Sequence, residues 1–439
     1  METAVALVLL CASCYCTYKT GFIQFRRLPQ ALGRAFDIKK GKGGVSPFSA
    51  MATSLAATIG TGNISGVAGA ILLGGPGAVF WMWVSALFGM AAKYTDIYFG
   101  KRYSSPDSIG PMAYMSRGLP KRMQPLAYLY GLICMLACLC MGNLVQISSI
   151  TEAAATALAA FGSPHAAALW PKLGLGILCA GLVGVVQLGG ASRVGRVTAL
   201  LVPGMSLAYI VMAVIIILIN RAALPGAFAS IFAGAMEPRA FFVGIARGTF
   251  THEAGLGTAA IAHGSAQTDN CHQQALYGIF EVFFDTIVIC TLTALAVLTS
   301  GISLQWEGQA KNSALVIESF ATVMGPKAAS ISIAASLALF AFSSVLSFCY
   351  YGGVCADFLF GPRGKRLYPY AFILLLSAGS VLEISIVWQL AEWANMSMAI
   401  LNMIAIVTLL RQRGMGASAQ IKRATSRPMR YGAKAPPIH

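Results

Sequence analysis

Charge is what this chain has least of: Asp, Glu, Lys and Arg make up 10% of its 439 residues, and only 15 of them are acidic. An ordinary soluble domain carries roughly 25% charged residues, and a disordered chain is poor in apolar ones. Neither class fits. Histidine is scarcer still, with five copies. Of the eleven cysteines Cys11, Cys14 and Cys16 have ligand-like spacing, but no second cluster with His or Cys completes a metal site. Most of the others lie in apolar runs, where cysteine acts as a small hydrophobe. No resident metal or organic cofactor is expected.

What abounds is apolar: 57% of residues are hydrophobic and the mean hydropathy is +0.71. Runs long enough for a hydrocarbon core of about 30 Å lie near 3–18, 46–72, 78–100, 123–160, 172–189, 197–219, 238–265, 274–300, 312–350, 367–386 and 388–410. These eleven runs predict an all-α polytopic protein with the lipid bilayer as its surroundings. A net charge of +16 could suggest nucleic acid, yet the basic residues gather in alternate loops. Lys19, Arg26, Arg27, Arg34, Lys39, Lys40 and Lys42 follow the first run, Lys101, Arg102, Arg117, Lys121 and Arg122 the third, Arg193 and Arg196 the fifth. Arg363, Lys365 and Arg366 follow the ninth, and Arg411 opens a basic tail. The positive-inside rule places those loops in the cytoplasm, the N-terminus outside and the C-terminus inside, with no nucleic-acid partner. The opening run carries Glu2 and no basic n-region, so it reads as a span rather than a signal peptide. The breaker-rich stretch 412–439 is expected to be a disordered cytoplasmic tail.

With the first run set aside, the other ten align as five and five, each start in the second set offset from its counterpart by roughly 190 residues. An odd number of spans per half makes the second half enter the membrane in the opposite sense, which is an inverted repeat. The expected division is a peripheral N-terminal helix and basic loop over 1–43, a first repeat over 44–220 and a second over 235–411. Two such halves can rock about a fixed site, as alternating access requires.

The first member of each half is punctured by glycine, at Gly60-Thr61-Gly62-Asn63 and at Glu253-Ala254-Gly255-Leu256-Gly257. Inside hydrocarbon a helix can unwind only where protein or a water-lined cavity receives its backbone groups. The N–H end of a half-helix suits a carboxylate, and the carbonyl end suits an ammonium or sodium ion. A zwitterionic amino acid satisfies both, and Thr61 and Asn63 add hydrogen bonds without net charge. Glu253 reads either as glue for the unwound segment or as a cation or proton handler; Arg247 is a candidate counter-charge. Gln146 either faces the site or bonds another helix. Ser343 and Ser344 either supply oxygen ligands for sodium, with carbonyls near Thr58, Ile59 and Asn63, or bond their own helix backbone. Lys93 stands at helical spacing from Asp96, which predicts a local ion pair.

Gly44-Val45-Ser46-Pro47-Phe48, the run from Ala56 to Ala68, Leu73-Gly74-Gly75-Pro76-Gly77 through Trp83, and Arg247-Gly248-Thr249-Phe250-Thr251-His252-Glu253-Ala254-Gly255-Leu256-Gly257 resemble the alanine/glycine:cation symporter family of sodium:alanine symporters. So do Phe284-Asp285-Thr286 and Cys290 through Ala294. The resemblance runs from about Gly21 to Leu410. It implies a leucine-transporter-like five-plus-five fold, discontinuous in the first helix of each repeat, importing a small neutral amino acid with sodium across a bacterial inner membrane. By that resemblance Gly60, Thr61, Gly62, Asn63, Gln146 and Ser344 line the substrate pocket, and Glu253, Ala254, Gly255 and Gly257 form the opposite wall. Departures occur at Ser344-Val345-Leu346-Ser347-Phe348, where the family pattern usually runs Thr-Ile-Leu-Gly-Trp. Phe348 in place of Trp removes aromatic volume beside the pocket and implies room for a side chain larger than methyl. His252 replaces the usual asparagine, which raises a pH-sensitive gate as an expectation. Gly353 and Glu392 stand where a glutamate and an aspartate are common.

Two rival readings fail on the residues. His252-Glu253 begins an H-E-x-x-H zinc-protease motif, but Leu256 occupies the position of the second imidazole. Gly60-x-Gly62 lacks the strand and βαβ unit of a dinucleotide fold. A passive channel is separated from a symporter by whether solute uptake needs sodium.

Overall fold

The computed structural model describes residues 2–35, 44–162, 168–302, 312–382 and 385–412. The expected tail after Gln412 and the loop lysines Lys39, Lys40 and Lys42 lie outside them. Helix is the only regular structure of any length among the described residues. α1 (Glu2–Thr20) is followed by α2 (Ile23–Arg34), which turns 82° from it. Part of the basic loop expected after the first span is thus a helix.

α3 (Pro47–Thr58) starts on a capped turn: the Ser46 hydroxyl accepts the Ser49 N–H at 3.0 Å, and Pro47 takes the first helical position, where its missing N–H costs nothing. After a break comes α4 (Ser65–Gly74), then α5 (Gly77–Arg102) and the short α6 (Pro111–Gly118). α7 (Leu126–Leu139) and α8 (Gln146–Ala159) form one long rod joined by a π-helical turn over Cys140–Val145. α9 (Leu169–Gln187) and α10 (Gly190–Ile219) complete the first half; Leu182, Leu200, Leu207 and Leu218 lie exposed along them, as on helices that face lipid.

α11 (Leu224–Gly234), which the sequence reading did not anticipate, meets α12 (Pro238–His252) at 103°. A second break separates α12 from α13 (Thr258–Gly264). α14 (Cys271–Val282) and α15 (Thr291–Thr299) are again one rod with a π turn, Phe283–Cys290, at its middle. The span expected over 312–350 is not continuous. It divides at Gly325, whose φ of 81° precedes Pro326, so α16 (Asn312–Met324) is separate from α17 (Pro326–Gly379). Positive φ and a following proline both end a helix there. α17 itself is kinked at Gly361 (φ 67°) into arms 326–360 and 362–379, and α18 (Ser385–Gln412) is the last described helix.

Among the described residues six helical segments are long and apolar enough to cross a bilayer, or eight if each bent pair is one span. The broken α3–α4 and α12–α13 fall short piece by piece, and α5 carries Lys93 and Asp96 at its buried face. Each of the eleven expected runs nevertheless holds helix over most of its described residues. α5 lies at the centre, packed along α12 and α14. One apolar cluster joins it to α1, α6, α7, α13 and α18 through Tyr94, Phe99, Tyr114, Tyr130 and Ile406; another gathers α4, α10, α16 and α17 around Ile71, Tyr209, Phe320 and Phe340.

Candidate functional site

At the first break the chain leaves α3 at Ile59, runs extended through Gly60 and makes one 3-10 turn over Thr61–Asn63 before α4. Asn63 is the brace. Its Oδ1 accepts the Gly60 N–H at 3.0 Å, its Nδ2 donates to Asp285 Oδ1 at 2.6 Å, and its carbonyl accepts the Thr293 hydroxyl at 2.8 Å. The break is thereby tied to the π turn between α14 and α15.

The last carbonyls of α3 have no partner within their own helix, and hydroxyls on α17 reach Ala56 O. Ser344 Oγ lies 3.0 Å from it and Ser343 Oγ 3.2 Å, each also within reach of Phe340 O of its own helix at 3.1 and 2.8 Å; farther back along α3, Ser347 Oγ donates to Thr53 O at 2.8 Å. Ser344 stands directly behind the break: a Cβ on Gly60 would come 3.1 Å from its Oγ. Hydroxyls that donate to carbonyls still present lone pairs, so the same oxygens can turn to a hard cation.

The second break begins at Glu253, one of two non-glycine residues with positive φ among those described (φ 53°). Its Oε2 accepts the Thr258 hydroxyl at 2.8 Å, holding the carboxylate at the start of α13, where the helix dipole favours negative charge. Gly255 O and Leu256 O are taken by Asn402 Nδ2 at 2.9 Å and Tyr130 Oη at 2.7 Å. His252 is buried, with Nδ1 accepting the Ala254 N–H at 3.1 Å and Nε2 at 2.9 Å from Ser85 Oγ. A ring that accepts at Nδ1 carries its hydrogen on Nε2, so it braces the break and would lose a bond on protonation.

The two breaks meet on one cavity of about 30 Å³, enough for one or two water-sized bodies. Gly60, Thr61 and Gly62 line one side, Glu253 and Thr251 another, and Gln146 closes it with Met141 and Val145. Thr58 also reaches it. Gln146 Oε1 is buried without a hydrogen-bond partner, an acceptor left over at the cavity wall.

Not every expected residue reaches this lining. Asn63 turns to Asp285, and Ile59 is wholly buried. Ser343 and Ser344 stand behind Gly60. Gly255 and Gly257 face Met403 and Tyr130, and Ala254 packs near Gly89. Phe348 covers Gly142 in the first π turn, one layer behind Met141.

The ion pair expected between Lys93 and Asp96 does not form. Asp96 accepts the Tyr114 hydroxyl at 2.7 Å, while Lys93 reaches Glu281 on α14 at 3.2 Å, both charges buried. Arg247 is not Glu253's partner either: it lines an apolar cavity with Glu392, under α1. Helical spacing offered Lys93 only local partners; the real one is supplied by packing of α5 on α14.

With that geometry in hand, comparison with known proteins is decisive. A sequence model of the Sodium:alanine symporter family matches residues 1–422. The chain belongs to that family. The symporter is 37% identical over 424 residues to the sodium/alanine symporter AgcS of Methanococcus maripaludis, covering 92% of this chain and 91% of that one. It is 38% identical over 428 residues to an uncharacterized transporter of Haemophilus influenzae, with 92% and 91% covered. With the probable sodium/glutamine symporter GlnT of Bacillus subtilis the identity is 32% over 427 residues, with 92% and 84% covered. Among solved structures it is similar to MhsT in complex with L-phenylalanine (TM-score 0.61, 13% identity, 88% of this chain and 100% of that one). It is also similar to the Eremococcus coleocola manganese transporter in complex with an aromatic bis-isothiourea substituted compound (TM-score 0.52, 13% identity, 85% and 78% covered). The fold is therefore the leucine-transporter-like inverted repeat, broken in the first helix of each half. The symporter is a multi-pass, sodium-coupled amino-acid transporter and not an enzyme.

Proposed function

We propose that this symporter imports a small neutral amino acid with sodium by alternating access, in a bacterial plasma membrane, with its N-terminus outside and its C-terminus in the cytoplasm. The observation that carries the reading is the single cavity on which both breaks and Gln146 Oε1 converge. The substrate carboxylate is held at Thr61 and Gly62, in the turn that leads into α4; its ammonium is received by Gln146 Oε1 and Glu253. Its sodium takes Ser343 Oγ, Ser344 Oγ and the carbonyls around Ala56, Thr58 and Ile59, between α3 and α17. The repeats are 44–220 and 235–411.

The neutral choice follows from charge. Glu253 is the lone ionisable side chain on that lining among the described residues, and it matches one ammonium, leaving nothing for a charged side chain. Phe348 acts on size indirectly, through Gly142 and the π turn that carries Met141. AgcS and GlnT carry alanine and glutamine in their names, which brackets the size range to test.

Purified symporter in liposomes should accumulate labelled alanine against its gradient when sodium is imposed outside. Equal uptake in choline and in sodium would sink the reading, and uptake that merely equilibrates would make the protein a channel.

A further inference from the structure

One buried cation stands directly beside the transport site. Lys93 Nζ, on α5, has three hydrogens and three oxygens around it: Thr58 Oγ1 at 3.1 Å, His252 O at 3.1 Å and Glu281 Oε2 at 3.2 Å. Two of those three come from the ends of the broken helices, since Thr58 is the last residue of α3 and His252 the last of α12. Helix C-termini carry partial negative charge. His252 O is such a terminal carbonyl; with the Thr58 hydroxyl, which gives its own hydrogen to Ser54 O, and the Glu281 carboxylate, it makes a buried point that requires a positive charge.

The rest of the network fixes that carboxylate as an acceptor. Ser54 Oγ donates to Glu281 Oε2 at 2.7 Å, and His263 Nε2 lies 2.6 Å from Oε1. Gln274 Nε2 reaches both Pro47 O at 3.3 Å and His263 Nδ1 at 2.6 Å. One amide nitrogen facing two acceptors sets the imidazole hydrogen on Nε2, pointing at Glu281. The Lys93–Glu281 pair is thus neutral overall and complete.

We infer that Lys93 occupies a built-in cation site, formed by the two half-helix ends and Glu281, and that its ammonium serves as a resident ion that never leaves. Without the side chain the same oxygens would form a hard, negatively charged site suited to an exchangeable sodium ion. In the native chain that position is closed, so the sodium that is carried binds elsewhere and the coupling ratio is lower by one ion. This inference does not rest on the substrate reading, because it is tested on the protein without amino acid.

The experiment is binding of radiolabelled sodium by equilibrium dialysis to the full chain in detergent, for wild type, Lys93→Ala and Lys93→Arg. Lys93→Ala should bind one more sodium per chain than wild type, and its thermal midpoint should rise more steeply with NaCl than with choline chloride at equal ionic strength. Lys93→Arg, which keeps the charge, should show neither gain. If Lys93→Ala folds only in sodium, the site is supported by that alone. Unchanged sodium binding in Lys93→Ala, or failure to fold in sodium and choline alike, overturns the inference.

Discussion

Single side chains divide into those that face the cavity and those that hold it. Gln146 faces it: Oε1 has no partner while Nε2 makes only a 3.4 Å contact to Met141 O. A substrate ammonium that completes this acceptor gains about 1–2 kcal/mol, or roughly tenfold in affinity. Gln146→Ala should therefore raise KM for alanine by about tenfold with kcat little changed, read from initial uptake rates; an unaltered KM removes Gln146 from the substrate's contacts. Ser344 holds and, in the proposed function, also binds. Losing its hydroxyl leaves Ala56 O with Ser343, so Ser344→Ala should fold, while half-saturation by sodium rises by about tenfold for one lost oxygen ligand. Sodium titration of alanine uptake checks it, and the same sodium dependence as wild type would place the ion elsewhere. Gln146 could be found in the sequence because an amide in an apolar run is unusual. That it faces the site came only from the family resemblance, since orientation depends on the π turn at Cys140–Val145, and no residue pattern signalled that extra residue per turn.

Helix breaks were the easiest feature to read ahead of the structure, because glycine clusters inside apolar runs have few other uses. Their bracing was not. Asn63 reaches Asp285, Lys93 reaches Glu281, and Tyr130 reaches Leu256 O, all contacts between segments far apart in the chain. Periodicity within one helix offers only local partners, and that is why Asp96 was expected where Glu281 stands. The same rigidity makes the second break intolerant of side chains. Gly257 has φ 93°, and a Cβ there would fall 2.4 Å from Tyr130 Oη. Gly257→Ala combines strain of about 1–3 kcal/mol with displacement of the Tyr130 anchor. It should lower the thermal midpoint and abolish accumulation, whereas Gly353→Ala, with no atom within 4 Å of its Cβ, should do neither. Equal midpoints for the two variants, measured in the same detergent, would show that the second break yields.

Taken as a whole, the molecule is asymmetric about its site. The cavity between the breaks is small, but cavities of about 370 and 710 Å³, both bordered by Pro106 and Ile109, open among the segments that carry Lys101 and Lys365. Those segments belong to the basic loops that the positive-inside rule assigns to the cytoplasm. These openings lie on the basic side of the molecule and share no lining residue with the cavity between the breaks. Gly353 lines the smaller of these two openings beside Tyr350 and Asp357 and has open space at its Cβ. A thiol placed there by Gly353→Cys should therefore react with a membrane-impermeant maleimide in inside-out vesicles, above the wild-type background, and stay protected in right-side-out ones. Sodium with alanine should slow that reaction if binding closes the approach. Labelling from the opposite face would reverse the orientation of every span at once, since one inverted loop cannot be changed without its neighbours.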